Sequence, residues 1–521
     1  MPKKHSNKKN KDKKPQRPYV GDYGVAIESG PTKVGASFGM IVLSVLVGFL
    51  VGFIAWGAYR LALSLTDFVW NGVTPTIAQV LGTADVSSWW LPVVVCGFGG
   101  LVIGLWSRFV GGVPESLEVV MGSIKQTGEY RIKGFGRSIV GFFLPLMFGG
   151  SIGPEAGVTG IIASATCWIG RTLRKAGLRV KEIADVTVSA ALSAIFITPL
   201  LGIVAVVQDA LPKQDWELRD ESSARDVTSS GNPNPLSYDF RLWAKIVLYV
   251  AAAFGAVAGA LLIGSLFGSE SGIPRFSGEH LSWGSFWVLI PCVLLGYVGA
   301  LMYHAANFTF AHLGRALQKF TVTRALLAGL GLGLVGSLLP YTLFPGEIQA
   351  WELMDQWQTM SAIVLIATGL MKCVTTPWCL NMGWMGGHFF PCIFAGLSCG
   401  YGVAILAGVD PLCCIAVSTA TLVAGIQRKP FLAMALLLLC FPLEVVVWMG
   451  LACLIGAALP IPAALLATDA SERAATKNAG TNNFEVVSAS DCTDASDYAD
   501  RSGVVCSPAS VDNTKANPQD Q

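Results

Sequence analysis

Long apolar runs separated by short polar breaks fill the sequence between residues 37 and 467. A helix needs about 20 apolar residues to cross the hydrocarbon core of a membrane. Several runs, at 37–65, 88–109, 242–267 and 284–308, are at least that long. Charged residues make up only 13% of the chain, whereas a soluble globular domain has about 25%. The sequence therefore predicts an all-α polytopic membrane protein rather than a soluble multidomain enzyme.

Other apolar runs, such as 138–149 and 411–426, are short or are interrupted by glycine and proline. Partly spanning, tilted and broken helices that meet inside the membrane would produce this pattern. Small residues four positions apart also recur, and in lipid they let two helix backbones approach closely. We therefore predict helix–helix contacts at four glycine pairs, namely Gly48/Gly52, Gly100/Gly104, Gly255/Gly259 and Gly329/Gly333.

Polar stretches divide the chain into five parts. We predict a basic cytoplasmic N-terminal tail at 1–36, a first membrane half at 37–210, a polar connector at 211–238, a second membrane half at 239–467 and a polar, disordered C-terminal tail at 468–521. The first 18 residues hold seven lysines, one arginine and one aspartate. Positive charge beside a first span favours the cytoplasmic side. The expected location is the cell membrane, as a multi-pass protein with both termini in the cytoplasm.

Composition and motifs argue against several other classes of protein. A net charge of +2 gives no reason to expect a nucleic-acid partner. The sequence has neither an HExxH motif nor a zinc-type CxxC pair, so no metal, cofactor or catalytic residue is predicted. A coupled transporter of a larger substrate, a membrane-embedded enzyme and a scaffold remain as alternatives. The first of these predicts more buried carboxylates than the apolar runs contain.

Three segments place glycines and then a proline at the start of an apolar stretch: GGVPE at 111–115, GGSIGPEAG at 149–157 and GGHFFP at 386–391. Proline is favoured in the first turn of a helix, and the alternative is a set of tight turns in short loops. A helix start carries unpaired N–H groups and a partial positive charge, and several such starts converging would bind an anion. The predicted anion-binding residues are Gly111, Gly112, Ser151, Ile152, Gly153, His388, Phe389 and Phe390.

Ionisable residues inside apolar runs are functional candidates because they are costly to place in a membrane. Glu115 and Glu155 directly follow the prolines of the first two segments, Asp209 ends an apolar run, and Glu444 lies in the last one. Each has an alternative interpretation, since a carboxylate in a first helical turn stabilises the helix dipole. We predict Glu155, Asp209 and Glu444 as the residues of a possible gate or proton path.

These segments resemble the signatures of the CLC family of chloride channels and chloride/proton exchangers. VGGVP at 110–114, GSIGP at 150–154 and GHFFP at 387–391 are similar, in order, to the family's GSGIP, GREGP and GxFxP, and TPLLGIVAVVQDA at 198–210 resembles a fourth stretch. The resemblance implies a CLC-type architecture of two inverted halves and voltage-gated homodimers with one pore per subunit. It also implies an anion held by backbone N–H groups together with a serine and a tyrosine hydroxyl.

The sequence departs from the family pattern at several positions. In this alignment the family serine falls at Gly111, the gating glutamate at Ile152 and the internal proton-relay glutamate near Asp209, while the pore tyrosine lands near Glu444. The prediction is therefore passive, channel-like transport of chloride or a similar small anion across the lipid bilayer. The alternative is a proton-coupled exchanger that uses Glu155, three residues after Ile152 on the same helix face, together with Asp209.

Overall fold

The computed structural model describes residues 38–80, 89–111, 135–158, 160–162, 242–267, 274–278, 283–438 and 440–466. These residues form α-helices joined by short 3-10 and π turns, and no strand is named among them. The helices are α1 (Phe38–Asp67), α2 (Thr74–Val80), α3 (Trp90–Phe109), α4 (Phe135–Met147), α5 (Leu242–Phe267), α6 (Leu289–Ala316), α7 (Thr321–Leu338), α8 (Glu347–Gln356), α9 (Ala362–Asn381), α10 (Phe389–Ala407), α11 (Pro411–Gln427), α12 (Pro430–Leu437) and α13 (Val446–Ala458). The predicted connector at 211–238 and the predicted tails at 1–36 and 468–521 lie outside the described residues.

Seven helical stretches of the described chain are long and apolar enough to cross a membrane. They are Ile41–Gln79, Trp90–Phe109, Val250–Phe267, Phe286–Ala316, Thr321–Leu338, Ala362–Asn381 and Phe389–Ala407. Three shorter apolar helices of 10–17 residues, Gly136–Met147, Pro411–Gln427 and Leu443–Ala458, accompany them. The predicted all-α membrane fold, with spans of unequal length, is confirmed.

Glycines form the contact surfaces between two pairs of long helices. Helix α1 packs along α5, and α3 packs along α7. A Cβ atom added to Gly48 or Gly52 would overlap the backbone of Ala252 or Ala256. All eight glycines of the four predicted pairs face the backbone of the opposite helix in this way. The predicted small-residue contacts are therefore confirmed, since any larger side chain would force the helices apart.

Helix α10 lies in the interior of the protein. The most apolar stretch of this helix is 89% buried, compared with 28–50% for the other six candidate spans. Helices α9 and α11 pack against it on either side, and their side chains form one apolar cluster. The N-terminal end of α10 is thereby held in the protein core.

The turn between α7 and α8 reaches the start of the second glycine-rich segment. Phe344, in this turn, has a φ of 63°, and its N–H donates to the carbonyl of Gly149 at 2.9 Å. A left-handed conformation is uncommon for a bulky residue. Residues from the second predicted half therefore fix the backbone of the first where the second glycine-rich segment begins.

Candidate functional site

The second and third glycine-rich segments lie side by side. The N–H of Gly153 donates to the carbonyl of Gly387 at 2.8 Å, and the N–H of Gly387 donates to the carbonyl of Gly153 at 2.7 Å. This reciprocal pair is an isolated antiparallel bridge between two helix starts. The bridge brings residues 152–155 to the start of α10. The anion-binding hypothesis requires the helix starts to converge in this way.

The carboxylate of Glu155 lies at the start of α10. Its Oε1 accepts a hydrogen bond of 2.6 Å from the backbone N–H of Phe389, the first residue of that helix. Glu155 is fully buried. A free N–H in the first turn carries part of the positive end of the helix dipole, so a negatively charged oxygen is stabilised there. The Phe389 N–H, which was predicted to bind an anion, is therefore hydrogen-bonded to a carboxylate of the protein itself.

Two glycines make room for this carboxylate. A Cβ atom added to Gly153 would overlap the Oε2 of Glu155, and one added to Gly387 would overlap its Cδ. Both glycines belong to the reciprocal backbone bridge. Only a residue without a side chain fits at either position while the carboxylate lies between them.

The side chain of Ile152 packs into the apolar core. It is fully buried and lies against Gly386, where an added Cβ would be 2.6 Å from the Ile152 Cδ1. It belongs to the apolar cluster that contains Met382 and Trp384. The structure thus places Glu155, and not Ile152, at the amide of Phe389.

Ser151 is held by helix α9 through its hydroxyl. Thr375 Oγ1 donates to Ser151 Oγ at 3.2 Å, and the Oγ atoms of Ser151 and Thr376 are 3.3 Å apart. All three side chains are buried. The serine side chain therefore anchors the second segment to α9.

In the third segment, Phe389 and Phe390 lie in the core, and the ring of His388 lies nearer to the surface. Phe389 and Phe390 are buried in the apolar core. His388 is only partly buried; Gln427 Nε2 lies 2.5 Å from its Nε2, and its ring stacks on Phe389 with centroids 4.8 Å apart. The imidazole is thus oriented towards the C-terminal end of α11.

The remaining predicted site residues are Gly111, Gly112, Asp209 and Glu444. Gly111 follows α3 with a φ of 68°, a conformation that favours glycine. Glu444 lies in the 3-10 turn Leu443–Val445 and is exposed. Gly112 and Asp209 lie outside the described residues. Of the two predicted carboxylates within the described residues, Glu155 and Glu444, the structure places Glu155 at the joined helix starts.

Sequence reasoning missed Lys372, Thr375, Thr376 and Gln427 around this site. Lys372 had a recognisable signal, because it is a lysine inside the apolar run at 359–375 and such residues are functional candidates. The threonines and the glutamine carried no signal that separates them from other polar residues near helix ends.

Most of the chain matches a known protein family. The family model described as voltage gated chloride channel matches residues 93–460. The chain belongs to this family, the CLC family. Its predicted CLC-type fold is confirmed, and this CLC chain is a multi-pass membrane protein.

A curated relative and several solved structures resemble this CLC chain. Chloride channel protein CLC-e of Arabidopsis thaliana is 23% identical over 400 residues, which cover 72% of this chain and 52% of the relative. The chain thus spans about half the length of that relative.

Among solved structures, a CLC-type fluoride/proton antiporter has a TM-score of 0.58 at 17% identity, covering 81% of this chain and 95% of its own. A slow cyanobacterial Cl-/H+ antiporter has a TM-score of 0.61 at 16% identity, covering 84% and 98%. A eukaryotic CLC transporter has a TM-score of 0.54 at 16% identity, covering 80% and 71%. At these identities the likeness concerns the fold.

Proposed function

We propose that this protein moves chloride or a similar small anion across a lipid bilayer, through the region where residues 153–155 meet the start of α10. Family membership supports transport as the activity. The solved structures with this fold include antiporters described for chloride and for fluoride, so both anions are substrate candidates.

One observation carries the assignment of the site. The Phe389 N–H donates to a carboxylate oxygen at 2.6 Å, in a buried position at the positive end of a helix. A group that stabilises a carboxylate there offers the same hydrogen bond and the same favourable potential to a halide. Transport also requires that the anion leave again. A side chain that competes for the same N–H can displace the anion from it.

Glu155 is, in this proposal, the gate of the pathway. In its charged form the side chain accepts the hydrogen bond of the Phe389 N–H and repels an arriving anion. When protonated it is neutral, binds the amide less strongly and gives way to the anion. The pore is therefore closed by the charged form of Glu155 and opened by its protonated form.

A second function, proton-coupled exchange, is favoured by the chemistry of the same residue. A carboxylate that swings away from Phe389 can carry a proton, which the aliphatic side chain of Ile152 cannot. Asp209 is the proposed second proton acceptor. Passive conduction was predicted because Ile152 aligned with the gating position, and the packing of Ile152 in the apolar core weakens that reason.

The test is anion efflux from vesicles that contain the purified protein, with external pH recorded in the same trace. We expect chloride to leave when the membrane potential is released by a potassium ionophore. Exchange additionally predicts that protons enter as chloride leaves, and that a proton gradient alone drives chloride uphill. Passive conduction gives chloride efflux with constant external pH. Efflux no faster than from protein-free vesicles, with fluoride as well as chloride, would contradict the proposal.

We also propose that the protein works as a homodimer in the cell membrane, with both termini in the cytoplasm. The family resemblance supports the dimer, and the lysine-rich first 18 residues support the orientation.

A further inference from the structure

Lys372 is a fully buried lysine in the middle of α9, a helix long and apolar enough to cross a membrane. A charged side chain at membrane depth is costly and is kept only where the protein compensates for it. The groups around its ammonium therefore indicate what the residue does.

Four consecutive backbone carbonyls surround this ammonium group. Lys372 Nζ donates to the carbonyls of Tyr341 at 2.9 Å, Thr342 at 3.4 Å, Leu343 at 3.1 Å and Phe344 at 2.9 Å. All four are neutral acceptors, and the three N–H groups of an ammonium can serve them if one N–H is shared between two carbonyls. The turn at 341–344 is thus wrapped around a cation whose charge these carbonyls solvate without cancelling.

The same turn ties Lys372 to the second glycine-rich segment. Phe344, whose carbonyl binds the ammonium, donates its N–H to Gly149, the first glycine of that segment. One turn further along α9, Thr375 donates to Ser151. The ammonium therefore stabilises a turn that contains one residue in the unfavourable left-handed conformation, Phe344, and that, together with Thr375, fixes residues 149–151.

The ammonium also lies beside the second turn of α10. Lys372 Nζ is 4.9 Å from the centre of the Phe394 ring, and Phe394 follows Phe389 by five residues. With a rise of 1.5 Å per residue in an α-helix, Phe394 lies about 7.5 Å further along α10 than Phe389, so the positive charge is on the order of 10 Å from the Phe389 N–H. A unit charge roughly 10 Å away, at an effective dielectric constant of about 20, changes the affinity for a monovalent anion on the order of tenfold.

We propose that Lys372 is a positioning residue that sets the anion affinity of the site at Phe389, through its buried positive charge and through the turn at 341–344. This inference rests on the proposed transport of anions. It assigns to α9 a role that neither the glycine-rich segments nor Glu155 supplies, namely a positive charge that does not depend on the protonation of Glu155.

The test compares four proteins in reconstituted vesicles: wild type, Lys372→Met, Lys372→Gln and the exposed-charge control Lys319→Met. Lys319 is exposed, so its variant removes the same charge outside the core. We expect Lys372→Met and Lys372→Gln to raise the half-saturating chloride concentration on the order of tenfold. The maximal rate per folded protein, counted by size-exclusion chromatography, should change far less. Lys319→Met should keep the wild-type half-saturation.

Two results would overturn the assignment. The first is that Lys372→Met keeps the wild-type half-saturating chloride concentration and loses only folded protein or thermal stability. A purely structural role of Lys372 would give that outcome. The second result applies if neither neutral variant folds. Lys372→Arg keeps the charge, so its half-saturating chloride concentration should stay within about threefold of the wild-type value. A shift on the order of tenfold in Lys372→Arg would contradict the role of charge. Failure of the proposed function itself is distinguishable, since wild-type vesicles would then show no chloride flux.

Discussion

Replacing Glu155 with glutamine is expected to give high anion flux at neutral pH that no longer changes on acidification. Glutamine keeps the shape of the side chain but removes its charge and its ability to carry a proton. A hydrogen bond to a charged group contributes about 1.5–3 kcal/mol and a neutral one about 0.5–1.5 kcal/mol. The variant side chain should therefore leave the Phe389 amide about tenfold more easily, and flux at neutral pH should rise by a similar factor.

In the wild type, flux should increase as the pH falls, because protonation discharges the carboxylate that closes the pathway. The measurement is initial chloride efflux from vesicles at a series of external pH values. The control is Glu352→Gln, which neutralises a glutamate exposed on α8 and should keep the wild-type pH profile. If Glu155→Gln retained that profile as well, Glu155 would not be the gate.

Replacing Gly387 with alanine is the second change for which we expect a large effect. The new Cβ would overlap the Cδ and Cγ of Glu155, so the carboxylate could no longer reach the Phe389 amide without movement of the backbone. Overpacking of this kind typically costs about 1–3 kcal/mol of stability. We expect a lower thermal unfolding temperature in detergent, together with raised flux at neutral pH. Gly57→Ala is the matched control, because nothing lies within 4 Å of a Cβ at that position.

A double-mutant cycle identifies the cause of this destabilisation. The three atoms nearest to a Cβ at Gly387 all belong to the Glu155 side chain, and Glu155→Ala removes them, so Gly387→Ala should be much less destabilising in that background. We expect a coupling free energy of about 1–2 kcal/mol, in the range found for residues in contact. Strictly additive effects of the two substitutions would show that the glycine is needed for another reason.

The fold could be predicted from the sequence to a large extent because its determinants are local. The length of each apolar run decides whether a helix can span a membrane, and pairs such as Gly48/Gly52 mark where two backbones meet. The meeting of the segments around Gly153 and Gly387 was also predictable, since buried helix starts need partners for their N–H groups.

The side chain that enters the site could not be predicted in the same way. Ile152 and Glu155 are both within the second segment, and the alignment of short signatures favoured Ile152. The choice between them depends on how the chain turns through Gly153 and Pro154, which is fixed by the bridge to Gly387, a residue 234 positions away. The carbonyl turn around Lys372 is similarly non-local, since it joins α9 to a turn about 30 residues earlier.

The most direct test of the central claim is the position of a bromide ion in crystals of the Glu155→Ala variant, located by anomalous scattering. Bromide substitutes for chloride and can be identified without ambiguity in such data. The account predicts a peak within hydrogen-bond distance of the Phe389 N–H, where the Glu155 oxygen lies in the wild type. Ordered bromide elsewhere in the protein, with none at Phe389 in a variant that still transports anions, would contradict it.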